Sequence, residues 1–269
     1  MISAPSDPES RASGTSGQQQ YGTKPAIRRL WKVIALLIAL PFLLSACPSW
    51  YGWNQKLSMT LDTPNGPLVA STVQQVKVTY LPKWMGLGWA TGPSVKMQLR
   101  GESLAVDLGD GRILLTLLNE GSLAHLVFHD LGDGRERYAA IENQIGHPPR
   151  PLERNFRPEF VSFVDRNDPL TAFRILAEVP AGKKSDFKDV TEVFGPGYRL
   201  REMTLAITDE PVTTGNVERV LGQDFLAALE QISKIDLAER LKRQRLVADQ
   251  YGIDHVEYII LNDFIREFR

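Results

Sequence analysis

The sequence predicts an α+β fold dominated by β-structure: an antiparallel sheet, or a small sandwich or barrel, with helices at the C-terminus. Two observations support this prediction. Apolar residues alternate with polar ones between turn signals over residues 57–207, which is typical of half-buried strands. Helical spacing is clearest in residues 223–249. We expect one β-rich domain over residues 56–269, an ordinary size for a single core.

The first two strands are predicted to form a hairpin. Residues 57–61 alternate, and residues 68–80 carry valines among polar residues. The turn between them is Pro64-Asn65-Gly66, in which Asn and Gly tolerate the positive φ angles of tight turns. Further strands are predicted at residues 95–99, 104–108, 112–118, 161–164, 173–179, 198–207 and 256–261.

Two helices are predicted near the C-terminus, over residues 223–232 and 237–249. Asp236 is of a residue type that caps helix N-termini through a side-chain oxygen. The residues of the second helix that are spaced to face a core are Leu237, Leu241 and Val247.

The hexapeptide Asp-Leu-Gly-Asp-Gly-Arg occurs twice, at residues 107–112 and 130–135. Asp-Gly pairs are typical of hairpin turns, so two such turns are the favoured interpretation. The alternative is a paired acidic loop for a cation. An EF-hand loop, however, needs acidic residues at alternate positions and a distal glutamate.

The first 46 residues predict a targeting segment. Residues 1–27 are polar and rich in Ser, Gly, Pro and Gln, a composition that predicts disorder. Residues 28–46 start with basic residues and continue into the uncharged run VIALLIALPFLL, which is the order of a signal peptide. A membrane-spanning helix is the weaker alternative, because it needs roughly 20 apolar residues and Pro41 interrupts the run.

The signal ends in Leu44-Ser45-Ala46-Cys47, and Cys47 is the only cysteine of the chain. From residue 28 to Cys47 the chain resembles bacterial lipoprotein precursors, whose lipobox ends in a cysteine preceded by small residues and a leucine. The resemblance implies cleavage between Ala46 and Cys47, followed by acylation of Cys47. The alternative for Cys47 is a small buried hydrophobic residue. Residues 47–55 are expected to form a lipidated tether.

Several acyl chains would hold the protein on a membrane almost irreversibly, because each buried methylene contributes about 0.8 kcal/mol. Cleavage would remove five of the 31 basic and two of the 32 acidic residues, which leaves a net charge of −4. Membrane lipid bound through acylated Cys47, rather than attraction to anionic headgroups, is therefore expected to hold the domain. The whole chain has a net charge of −1, which does not favour a nucleic-acid partner.

Much of the mature part looks like an uncharacterised family of proteobacterial lipoproteins. The segments that carry this resemblance are WYGWNQKLSMTLDTPNGP (50–67), AVDLGDGRILLTLL (105–118), VDRNDPLTAF (164–173) and FGPGYRLREMTLAITDEPVTTG (194–215). The resemblance implies a location, lipid-anchored in the bacterial cell envelope and facing the periplasm, and no activity. Pro48 follows Cys47, so the choice between inner and outer membrane stays open.

Tryptophans form two groups with two interpretations each. Trp50 and Trp53 fit either the headgroup layer beside the anchor or the core. Trp84 and Trp89 fit the core better than a loop that contacts lipid.

No motif identifies a reaction, and no catalytic residue or cofactor is expected. His125 and His129 are four residues apart and share a face on a helix or a strand, with Asp130 and His147 as potential further metal ligands. Ordinary hydrogen-bonded or exposed histidines are the favoured interpretation. The other acidic groups lie before prolines, where turn chemistry is favoured over calcium binding, and they are Asp165-Arg166-Asn167-Asp168 and Asp209-Glu210.

We therefore expect a membrane-anchored envelope lipoprotein with a binding or structural role and an envelope protein as its partner. The alternative is a lipid-anchored hydrolase that uses carboxylates or a metal site at His125 and His129.

Overall fold

The computed structural model describes residues 49–81, 94–118, 122–177, 188–251 and 259–267, all within one compact unit. Its strands are β1 Ser49–Thr63, β2 Gly66–Leu81, β3 Ser94–Glu102, β4 Ala105–Gly109, β5 Arg112–Thr116, β6 Arg150–Pro151, β7 Phe160–Phe163, β8 Ala172–Ile175, β9 Arg199–Thr208 and β10 Ile265–Arg266. Its α-helices are α1 Leu123–Val127, α2 Gly134–Glu142, α3 Val190–Phe194, α4 Asn216–Leu221, α5 Gln223–Ser233 and α6 Leu237–Tyr251. In these ranges no helix is both long and apolar enough to cross a membrane.

The strands form two antiparallel sheets. The larger sheet has the order β10-β3-β2-β1-β9-β6, and the smaller sheet has the order β4-β5-β7-β8. Most helical residues follow the last long strand, β9. The predicted class, a β-dominated α+β fold with C-terminal helices, is confirmed.

The predicted first hairpin is present and longer than expected. β1 and β2 pair from Ser49 opposite Tyr80 to Thr63 opposite Gly66. Odd-numbered residues of β1 are buried from Trp53 to Leu61, while even-numbered residues lie on the outer face. The sheet thus starts at Ser49, within the range 47–55 that the sequence analysis assigned to a tether. The sequence of residues 49–55 does not alternate between apolar and polar residues, because polar side chains occur on both faces of the strand there.

The smaller sheet is buried on both faces. Leu114 packs in the cluster formed with the inner face of the larger sheet, whereas its neighbours Ile113 and Leu115 pack against helices α4 and α5. Strands covered on both sides have continuous apolar runs rather than alternation, and β5 and β7 show this pattern. The domain is therefore layered as sheet, sheet and helices.

The two copies of the repeated hexapeptide adopt different structures. The first forms the predicted turn between β4 and β5, with positive φ at Gly109, Asp110 and Gly111. The second forms the end of a 3-10 turn at His129–Leu131 and the start of α2, so the predicted second hairpin turn is wrong. Apolar strands flank the first copy, whereas the good helix formers of α2 follow the second.

The C-terminal helices occur where predicted, and Asp236 caps α6 by accepting a hydrogen bond from the Ala238 N–H at 2.9 Å. Val247 is buried as predicted, but Leu241 is 45 % exposed, because α6 packs mainly on the short turn Pro169–Thr171. Of the strand predicted over residues 256–261, residues 256–258 lie outside the described residues, and a two-residue strand, β10, occurs later instead. Cys47, Ala46, Trp84 and Trp89 also lie outside the described residues.

Candidate functional site

The two candidate metal ligands point to different partners. His125 lies in α1, where its ring stacks on Tyr138 at 5.6 Å between centroids and its Nε2 is 3.4 Å from an Arg137 guanidinium nitrogen. His129 lies in the following 3-10 turn, and its Nδ1 is 3.0 Å from the Leu126 carbonyl oxygen. Burial, and to a smaller degree the Arg137 charge, lower the pKa of His125. A neutral imidazole can ligate a metal, but the nearby guanidinium disfavours a second cation.

The remaining predicted ligands do not complete a metal site. Asp130 forms an ion pair with Arg150, and the hydrogen bond from Arg150 lowers the pKa of its carboxyl group. His147 is exposed in the segment between α2 and β6. Across the described ranges, no three His, Cys, Asp or Glu side chains are grouped so that they could hold a metal ion.

Carboxylates of the acidic groups before prolines take part in turns or in an ion pair. Asp165 accepts a hydrogen bond from the Asn167 N–H, and Asp168 accepts one from the Leu170 N–H, both at 2.9 Å. These are the Asx turns that the sequence favoured over calcium binding. Glu210 forms an ion pair with Lys56 at 2.7 Å. These carboxylates are thus engaged within the fold.

The polar residues buried in the larger sheet form a structural network. The Gln55 amide donates to Gln74 at 3.1 Å, and its oxygen accepts hydrogen bonds from Ser122 and from the Ala124 N–H. The Glu102 carboxylate, which is 5 % exposed, accepts hydrogen bonds from the first backbone N–H groups of α4. The donors are Gly215, Asn216 and Val217, at 2.5, 2.8 and 3.0 Å. A carboxylate at a helix N-terminus is stabilised by the helix dipole.

Glu102 has no signal in the sequence, because its partners are more than 110 residues away along the chain. With three N–H donors on its two oxygens, the carboxylate is a capping group rather than an acid or base open to a substrate.

The surface where β1 begins combines an exposed aromatic ring with an exposed cation. We call it the Ser49 end and define it by Ser49, Trp50, Tyr80, Val95 and Lys96. Across β1, β2 and β3, the register puts Ser49, Tyr80 and Val95 at one level. It puts Trp50, Thr79 and Lys96 at the next level. Paired residues in neighbouring strands point to the same face, so Trp50 and Lys96 share the outer face.

The structure separates the two tryptophans that follow Cys47. Trp53 is 4 % exposed and belongs to the core, whereas Trp50 is 71 % exposed. Even-numbered residues of β1 face outwards, so alternation alone accounts for this difference. The Ser49 end therefore exposes a large amphipathic ring, and Lys96, at the same level two strands away, is also exposed.

Helix α2 holds the inner face of the Ser49 end in place. Tyr138 contacts Tyr51 and Trp53 with ring centroids 5.7 and 6.4 Å apart, and burial raises its pKa. The Arg135 guanidinium lies 4.6 Å from the centre of the Tyr80 ring, and the Gly52 N–H donates to Glu142. The Ser49 end is thus a packed part of the domain.

In comparisons with known proteins, no family model, no curated protein and no solved structure matches this chain.

Proposed function

We propose that this protein is an envelope lipoprotein with a binding or structural role. After cleavage between Ala46 and Cys47, acyl chains on Cys47 would hold it on the membrane. One observation carries the proposal. The only cysteine ends a signal-like sequence and stands two residues before Ser49, where the first strand begins.

Covalent geometry then limits the distance between the lipid and the domain. Two residues span at most about 7 Å, because an extended chain covers roughly 3.3–3.6 Å per residue. A nine-residue tether over 47–55, as the sequence analysis predicted, would reach about 30 Å on the same scale. An acylated Cys47 would therefore hold the Ser49 end against the membrane surface.

The chemistry of the Ser49 end suits that position. Exposed Trp50 presents an apolar ring with a polar N–H group, the combination that is enriched at membrane interfaces. Lys96 can place its ammonium group among lipid phosphates while its stem covers apolar surface.

A binding or structural role is favoured over hydrolysis because the candidate catalytic groups have structural partners. His125 stacks on Tyr138, and Glu102 caps α4. Asp165 and Asp168 stabilise turns, as their hydrogen bonds show. The domain would thus present its surface to another envelope component in the periplasm.

The test is mass spectrometry of the N-terminus of the native protein, combined with membrane fractionation. The wild type is expected to begin at Cys47, to carry the mass of its acyl chains, and to sediment with membranes. Cys47→Ser is expected to lack this added mass, whereas the matched control Ser49→Ala should be lipidated normally. A native protein that begins at Met1, has an unmodified thiol and is found in the soluble fraction would refute the proposal.

A further inference from the structure

Helix α6 carries an exposed surface that the anchoring proposal does not use. We call it the α6 surface and define it by Ala238, Leu241, Lys242, Arg245 and Leu246. Each of these residues is three or four positions from at least one other of the set, so all five lie on one side of the helix. Leu241 and Leu246 are 45 % and 60 % exposed, although apolar side chains of this size are usually buried. The opposite side of α6 contributes Val247, which is buried.

The two cations of this surface are available for binding. Within the described ranges, neither Lys242 nor Arg245 takes part in a hydrogen bond or an ion pair. The neighbouring Arg243 differs, because it pairs with Glu239 at 3.0 Å. Two exposed leucines with these two cations between them are complementary to a surface that carries both apolar and acidic groups.

Contacts within the domain place α6 away from the Ser49 end. The helix packs on the turn Pro169–Thr171, which follows Arg166 in the chain. Arg166 forms an ion pair with Asp107, just before the β4–β5 turn.

The β4–β5 turn contacts the end of the larger sheet that is opposite to Ser49. Arg112 stacks on the Tyr198 ring at 5.2 Å, immediately before β9 begins. The start of β9 pairs with Leu61 and Asp62, near the end of β1. Leu61 is 12 residues from Ser49, or about 40 Å along the strand. The α6 surface therefore lies towards the end of the domain remote from Ser49.

We propose that the α6 surface binds an acidic amphipathic segment of another envelope protein. A segment with apolar residues at helical spacing and Glu or Asp beside them would cover both leucines and pair with both cations. The location of the partner rests on the proposed function, whereas the chemistry of the surface does not.

Two other occupants are less favourable. A second copy packed antiparallel on the same face would bring Lys242 close to Arg245, and like charges in close contact are repulsive. The anchoring membrane would lie at the Ser49 end, which is remote from α6 by the contacts described above. Charge and position thus favour a separate acidic partner.

The test uses the native protein in phosphatidylcholine nanodiscs and a fluorescent 15-residue peptide with leucines at helical spacing flanked by glutamates. Fluorescence anisotropy is expected to show binding that weakens as salt is raised. Both Lys242→Glu/Arg245→Glu and Leu241→Ser/Leu246→Ser should weaken it at least about tenfold, which corresponds to 1.4 kcal/mol. A peptide with lysines in place of the glutamates should not bind.

Control variants change exposed residues of the same types elsewhere on the surface. Arg219→Glu/Lys234→Glu alters the same charge, and Val69→Ser/Ile145→Ser removes two other exposed apolar side chains. Both controls should bind the acidic peptide as the wild type does. Because the altered residues are exposed, unfolding curves should show that every variant is folded.

Three outcomes would overturn the proposal. The first is that the acidic peptide does not bind, or binds the α6 variants and the controls equally. The second is that the α6 variants lose only binding to phosphatidylglycerol vesicles, which would identify a membrane contact. The third is a dimer in sedimentation that Leu241→Ser/Leu246→Ser abolishes. The mass of the N-terminus is independent of all three, so failure of the anchoring proposal can be recognised separately.

Discussion

The anchoring proposal predicts which end of the domain contacts the membrane, namely the Ser49 end. Acylation of Cys47 leaves no free thiol, because the chain has no other cysteine. Lys96→Cys and Val69→Cys therefore each introduce one site for an environment-sensitive label. Both side chains are exposed, and both lie on the outer face of the larger sheet.

The expected difference follows from the register. Lys96 pairs with Thr79, which in turn pairs with Trp50, so Lys96 and Trp50 lie at the same height along the strands. Val69 pairs with Thr60 and lies at the height of that residue. Ten residues separate these two levels along β1, which corresponds to about 33 Å. The polar interface of one leaflet is only about 5–8 Å thick. A label at position 69 would thus lie above the headgroups unless β1 were tilted by about 80° from the membrane normal.

The assay is quenching of the label by brominated lipids in vesicles that carry the native lipidated variants. A label at position 96 should be quenched, and a label at position 69 should not. Equal quenching at both positions would show that the sheet lies flat on the bilayer. If neither label is quenched although the lipid is attached, the inference from the two-residue link would be wrong.

Three further predictions concern the fold itself. Glu102→Ala should lower the free energy of unfolding by about 1–3 kcal/mol, because it removes the charged acceptor of three N–H groups at the start of α4, of which the Val217 N–H is buried. Glu102→Gln should cost less. Urea denaturation measures both, and a loss below about 0.5 kcal/mol for Glu102→Ala would contradict the capping role. Asp110 has a φ of 53°, which a β-branched residue adopts only with strain. Asp110→Val should therefore lower the free energy of unfolding by about 1–2 kcal/mol, whereas Asp110→Gly should change it by less than about 1 kcal/mol. Equal thermal midpoints for the two variants would contradict a strained turn. Burial, with a smaller contribution from Arg137, lowers the pKa of His125, so the unfolded state binds the proton more tightly than the folded state. The free energy of unfolding should therefore fall as the pH drops below 6.5. His125→Gln should reduce this loss, as measured by unfolding curves recorded above and below that pH. If the variant has the same pH dependence as the wild type, His125 is not the group responsible.

Local signals were sufficient for much of the fold. The first hairpin, the turn at 109–111 and the cap at Asp236 were all predicted, because each depends on residues close together in the chain. The difference between Trp50 and Trp53 was not predicted, because both tryptophans had the same two interpretations before β1 was known to begin at Ser49. In that strand Trp53 lies on the face of residues 57, 59 and 61, whereas Trp50 lies on the other face.

By itself, the sequence determined the β-dominated class, the first hairpin, the two C-terminal helices and the position of Cys47 at the end of a lipobox-like segment. Only the tertiary structure decided that Glu102 caps α4 and that the sheet begins at Ser49. The physical reason is the same in both cases. Burial and hydrogen bonding depend on which distant segments pack together, and neither spacing nor composition specifies those partners.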